Sequence, residues 1–261
     1  MKKVLNDLGM LTPELLFSKA KNPGLRIGVG AMPEDSKVCQ SIEQANAEGY
    51  GKSIIYHDPS NLIKDLYLGK LDAAVRGSLD SNSAMGALKK TFDLNEVQRM
   101  AFLQPRSGRM FLLAPVGVDE GWSRTQKIEL AERGCVILRR LGVEPKVGIL
   151  SGGRKSDRGR HEVVDRTLED AVEIVSKLKE KGIQAEDYEI LIENAAKDCD
   201  VLIAPDGISG NLIFRTLHFL GEGKALGAVV LNIDKIFVDT SRAKSSYIDS
   251  IALASALAVM V

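Results

Sequence analysis

The stretch LRIGVGAMPEDSKVCQSIEQANAEGYGKSIIYH, residues 25–57, carries an apolar run, a helical pattern and a second apolar run, in that order. LRIGVGA (25–31) is short, rich in apolar residues and bounded by turn formers, which suits a strand enclosed on both faces. Val38, Ile42 and Ala45 then recur at intervals of three and four over 35–49, the period of one helix face. KSIIYH (52–57) reads as the second strand. Strands joined through a helix lie parallel, and the crossover is right-handed.

Outward from this unit the alternation continues. NLIKDLYLG (61–69) predicts a short helix closed by Gly69, LDAAVRG (71–77) a strand, and 82–92 a helix. Two apolar runs within 100–117, split by PRSGR with Pro105 and Gly108, predict an antiparallel hairpin. A long helix follows over 123–142, with Ser123 as its N-cap and Gly142 as its stop. Next come a strand at 146–151, helices at 161–181 and 187–197, a strand at 200–206 and a helix at 210–220. Strands near 226–231 and 235–239 and a final helix over 246–261 complete the chain. The class is α/β with a mostly parallel sheet. No repeat or long linker interrupts it, so the architecture expected is a two-lobed body with short crossings, one of them at the helix from Ser123.

Composition narrows the function. The 261 residues are 44% hydrophobic and 27% charged, enough for a packed core. Lys+Arg and Asp+Glu are both 35, which argues against a nucleic-acid partner or an acidic membrane surface. Cys39, Cys135 and Cys199 are too scattered for a disulfide framework or a zinc site and read as small buried hydrophobes. His57, His161 and His218 lack metal-ligand spacing and read as caps or surface residues, so no metal is expected. MKKVLNDLGM has no long apolar run after its lysines and does not read as a secretory leader. No stretch reaches the roughly 20 apolar residues of a membrane span, and IALASALAVMV reads as a buried helix. A cytoplasmic location is expected.

In a parallel α/β sheet, ligands gather where strand ends lead into helix N-termini, whose unpaired N–H groups favour anions. Four such places stand out. LSGGRKSDRGRH (150–161) has Ser151, Gly152 and Arg154, with Arg154, Lys155, Arg158 and Arg160 as a dense run of cations; a solvated loop is the plain alternative. APDGISGNLIFR (204–215) offers Asp206, Ser209, Gly210 and Asn211, where Ser209 also suits an ordinary N-cap. FVDTSRAKSS (237–246) ends a strand at Asp239 and presents Ser241 and Arg242, a guanidinium able to clamp a phosphate; a local ion pair is the alternative. AVRGSLDSNSAMGALK (74–89) places Arg76 at an apolar strand end, where it needs either an anionic ligand or a structural carboxylate. A P-loop, a dinucleotide fingerprint and a hydrolase elbow are all missing from the sequence.

The segment 200–246, with Gly210-Asn211 opening a helix and Asp239-Thr240-Ser241-Arg242 ending a strand, resembles the phosphate acetyl/butyryltransferase family. The resemblance covers about 120–250. It implies an isocitrate-dehydrogenase-like body with a cleft between two lobes. Residues 1–121 plus 241–261 would form one lobe, and 122–240 the other, which carries the Ser-Gly-Asn helix start and a dimer surface. It further implies that Ser241 and Arg242 act at an acyl-phosphate carbonyl and phosphate, and that Ser151, Gly152, Ser209, Gly210 and Asn211 line the cleft. Coenzyme A or another phosphorylated cofactor and a small phosphorylated ligand are the implied partners.

The family's acetyltransferases place an acid just before an Ile after the Ser-Arg pair, to deprotonate a thiol. Here Tyr247 stands there before Ile248, and Asp249 lies two residues on, rotated ~200° around a helix. This departure and the short chain look most like the methanogenesis marker protein 4 group, the MtxX-type methyltransferase subunits. That implies a methyltransferase complex as a partner, although neither an S-adenosylmethionine loop nor a corrinoid motif can be read in the chain. Three readings stay open: acyl transfer with Ser241, Arg242 and Asp249, a methyl-transfer component that keeps the anion pocket, or a ligand-binding or regulatory protein with a degenerate site, against which the intact Ser241-Arg242 pair argues.

Overall fold

A computed structural model describes residues 9–259. MKKVLNDL, on which the leader reading rests, and the last two residues of the expected helix 246–261 lie outside the described residues. The chain runs α1 (Pro13–Ala20), β1 (Arg26–Gly30), α2 (Ser36–Ala47), β2 (Lys52–Tyr56), α3 (Pro59–Tyr67), β3 (Ala73–Val75) and α4 (Ser81–Phe92). Then follow β4 (Arg99–Gln104), β5 (Phe111–Ala114), α5 (Arg124–Leu141), β6 (Lys146–Leu150), α6 (Glu162–Glu180), β7 (Gln184–Glu189), α7 (Ile192–Asp198), β8 (Val201–Ile203) and α8 (Gly207–Arg215), which continues as a π turn over Thr216–Leu220. The chain ends with β9 (Lys224–Val230), β10 (Ile236–Asp239) and α9 (Ile248–Ala258).

The chain forms two compact units. The first takes Pro13–Val97 and the described residues from Leu226 on, and the second takes Gln98–Ala225 with the described residues before Pro13. These divisions fall at 97/98 and 225/226, not at the expected 121/122 and 240/241, and strand pairing explains the difference. β5 lies parallel to β8, which draws the hairpin into the second unit. β10 lies parallel to β3, which draws the chain end into the first.

In the first unit β1 pairs in parallel with β2 and β3, β3 with β10, and β10 pairs antiparallel with β9. Its core joins Leu62, Ile63 and Leu66 of α3 to Ala74, Leu88 and Phe237. α9 is buried all round, as a helix without a polar face must be. Its buried serines are satisfied, Ser255 Oγ by Ala20 O at 2.7 Å and Ser250 Oγ by Leu226 O. In the second unit β4 and β5 form the expected antiparallel hairpin, and β5, β8, β6 and β7 follow in parallel. α5 starts on Ser123 in a capping box with Gln126 and stops at Gly142 in the left-handed region, as the sequence predicts.

Three elements differ from expectation. β7 occupies part of the expected helix 187–197. It pairs only with β6 and buries a single side chain, Ala185, so QAEDYE shows no apolar run. α1 was not anticipated. α8 begins at Gly207, three residues early, because Asp206 and not Ser209 is its N-cap. Cys135 and Cys199 are buried, but Cys39 is exposed on α2 because Val38, Ile42 and Ala45 take the inner face. Among the described residues no helix is long and apolar enough to cross a membrane.

Candidate functional site

In the first unit the C-terminal ends of β1, β3 and β10 lie side by side, and their loops are laced together. Gly77 takes φ +58°, and a Cβ there would strike the Gly30 carbonyl. Met32 N–H donates to Ser78 Oγ at 3.0 Å, and Thr240 Oγ1–H donates to Gly77 O at 2.7 Å. Arg76 is 5% exposed. It donates Nε–H to the Asp239 carboxylate and Nη1–H to Leu79 O at 2.6 Å. Asp239 also accepts from Thr240 N–H at 2.9 Å. The structural carboxylate that a buried arginine requires is therefore Asp239, and these two candidates meet each other.

Ser241 Oγ accepts from Ala243 N–H at 3.2 Å. Arg242 extends into solvent, its side chain 61% exposed, with Nη1 at 3.8 Å from Asp80 Oδ1. Tyr247 is fully buried. Its N–H donates to Ser41 Oγ at 2.9 Å and its hydroxyl to Ser241 O at 3.4 Å, so it braces the loop from beneath. Burial pushes the Tyr247 phenol up, with Asp35 adding to the shift, so it stays protonated near neutrality. Asp249 is half-buried in the first turn of α9.

In the second unit the ends of β5, β8 and β6 carry the other candidates. Asp206 accepts from Ser209 N–H at 2.8 Å and Ser209 Oγ–H at 3.0 Å. Asn211 Nδ2–H donates to Val116 O at 2.7 Å, and Gly207 N–H to Glu120 O at 3.0 Å. Gly210 faces the Pro115 carbonyl so closely that a Cβ would overlap it; its close approach is to protein backbone. Ser151 is buried and donates to Gly153 O at 3.0 Å, and Gly152 N–H donates to Thr167 Oγ1 at 2.9 Å. Arg154 is exposed. The cations after it face carboxylates: Arg160 meets Asp157 at 2.6 Å, Arg158 meets Glu169 at 3.4 Å, and Lys155 lies 3.6 Å from Asp187. The solvated-loop reading describes 154–160 well. Among the described residues there is no cluster of three or more His, Cys, Asp or Glu side chains placed to hold a metal ion.

No protein-family model matches the chain. Over 94% of its length, and 94% of the relative's, it is 40% identical to a Methanosarcina mazei protein named "Putative methyltransferase mtx subunit X". The chain belongs to the mtx subunit X family. Its fold is that of the phosphotransacylases. EutD phosphotransacetylase from Staphylococcus aureus aligns with a TM-score of 0.71 at 15% identity, covering 94% of this chain and 98% of that one. A branched-chain phosphotransacylase from Enterococcus faecalis gives 0.73 at 15%, covering 90% and 99%.

Three further buried charges of this mtx subunit X family member, Glu120, Lys127 and Lys244, stand outside the candidate set. Glu120 is fully buried against Arg99, whose Nε lies at 2.6 Å; burial nonetheless raises its pKa, with Arg99 opposing. Lys127 lies 2.8 Å from Asp170 and donates to Pro205 O at 3.1 Å, which pins the end of β8. Its signal was present, since Lys127, Leu130, Ala131, Gly134 and Leu138 share one helical stripe and all are buried.

Lys244 is the third. Its Nζ donates to Ser250 Oγ at 3.1 Å, and burial pushes its pKa down to about 8, with Asp249 opposing. A folded value near 8 below an unfolded value of ~10.4 means the unfolded chain binds the extra proton between them. The native state is thus penalised fully below pH 8 and gains stability as pH rises through that window. Wild type is expected to gain about 2 kcal/mol relative to Lys244→Met between pH 7 and pH 10, read from urea midpoints. Parallel pH profiles for the two proteins would refute it.

Proposed function

We propose that this chain binds a small phosphorylated ligand at the Ser241–Arg242 loop. In this reading it is a cytoplasmic component of a methanogen methyl-transfer system that does not transfer acyl groups. The observation that carries the reading is Arg242 itself. It is a solvent-facing guanidinium at the C-terminal edge of a parallel sheet, 3.8 Å from the exposed Asp80 carboxylate, whereas Arg76 is spent on Asp239. An exposed pair of that length has little stabilising worth and yields readily to a better anion.

A thiol acceptor such as coenzyme A does not fit residue 247. A buried phenol held protonated is no base for a thiol, so residue 247 supplies none for acyl transfer. The fold supports the phosphate half of the reading, and the names of the relatives support the methyl-transfer half. Pairing of two copies belongs to the same proposal. It is supported by Ile208 and Leu212, which stand 48% and 60% exposed on α8. Arg242→Ala is expected to weaken binding of inorganic phosphate at least ~10-fold in a calorimetric titration, the loss of one charge-assisted contact. Unchanged affinity in that variant rejects the site.

A further inference from the structure

Asp80 divides its two carboxylate oxygens between two tasks. Oδ2 caps α4, accepting from Ser83 N–H at 2.9 Å and Ser83 Oγ–H at 3.0 Å. Oδ1 lies 3.8 Å from Arg242 Nη1. A helix N-terminus and a guanidinium are the two features that attract a phosphate dianion, and here both already face a fixed carboxylate. That carboxylate remains in place when a ligand arrives, because the cap holds it.

We infer that Asp80 determines charge specificity at the Arg242 loop, disfavouring dianions relative to monoanions. The inference rests on the proposed anion site and deepens it by naming what the site selects. Repulsion between Asp80 and a ligand scales with ligand charge, so the discrimination factor for a dianion is the square of that for a monoanion at the same place. Arg242 supplies the attraction, and Asp80 sets how much charge can use it. Ligands that present one negative charge to the guanidinium, or that spread their charge away from Asp80, are favoured.

The test exploits the equivalence of Asp and Asn as N-caps. Asp80→Asn removes the charge and keeps an oxygen for the α4 N–H groups, and Asp80→Ser does the same with a shorter side chain. Phosphate and acetate are titrated separately at pH 8 and low salt into wild type, both variants and Arg242→Ala, with chemical-shift changes as readout. Unfolding midpoints and far-ultraviolet spectra establish that α4 is intact. Removing the charge is expected to tighten phosphate about four-fold and acetate about two-fold. Equal changes for the two anions, or none, overturn the role of Asp80 while leaving the anion site standing. Wild-type phosphate affinity in Arg242→Ala, or no phosphate bound by any of the proteins, overturns the anion site and this inference with it.

Discussion

Arg76→Ala lowers the stability of the chain by about 3–5 kcal/mol, the usual cost of removing one member of a buried ion pair. Asp239 is 8% exposed. In the variant it keeps the Thr240 N–H but loses the guanidinium that balances its charge. Leu79 O also loses its donor, which loosens the turn between β3 and α4. The damage reaches beyond the pair, because Arg76 and Asp239 are 163 residues apart and tie neighbouring strand ends together. Urea unfolding of Arg76→Ala, Asp239→Ala and the double variant forms a cycle. The double variant is expected to cost clearly less than the sum of the singles, since each single removes the same pair. Additive single effects, or a stability unchanged by Arg76→Ala, would show that Arg76 is held for a ligand and not for Asp239.

The parallel α/β rhythm was legible because strands enclosed on both faces must be continuously apolar, as IGV of β1 and VLI of β8 are. The caps of α5 were legible for a local reason: Ser123 and Gly142 act within one turn of themselves. The points where the chain changes units were not legible. They depend on β5 finding β8 and on β10 finding β3, and nothing near residues 97 or 225 records those pairings. β7 was hidden because a strand with one neighbour and one buried residue needs no apolar pattern.

The site was legible as a set of strand ends and illegible as a set of roles. Asp239 and Arg242 belong to one motif, yet Asp239 turns inward to Arg76 while Arg242 stays in solvent. Asp80, the N-cap of α4, reaches Arg242 through its other oxygen, which nothing in the sequence records. Gly210 and Asn211 show the same limit. A Gly-Asn helix start is what either a bound phosphate or a tightly packed backbone requires, and the sequence is identical in the two cases. The distant carbonyls of Pro115 and Val116 decide what these residues do in the folded chain.

That distinction leads to the second large effect. Gly210→Ala is expected to destabilise the ligand-free chain by about 3 kcal/mol, at the upper end of the usual cost of forcing added volume into a packed site. The added Cβ falls on the Pro115 carbonyl oxygen, and its other near neighbours are Pro115 C at 3.1 Å and Ala204 Cβ at 3.3 Å. Backbone on one side and a strand end on the other cannot swing away as a long side chain would. Gly86 supplies the control. It also lies inside a helix, α4, but an added Cβ there meets nothing within 4 Å. Gly86→Ala is therefore expected to stabilise the chain by roughly 0.5–1 kcal/mol, the ordinary gain from replacing glycine in a helix. The same chemical change has opposite signs at the two positions because only one of them faces backbone. Urea midpoints without any phosphate present separate the accounts. If Gly210→Ala matches Gly86→Ala in sign, the glycine is not required by packing, and its small size serves an incoming ligand instead.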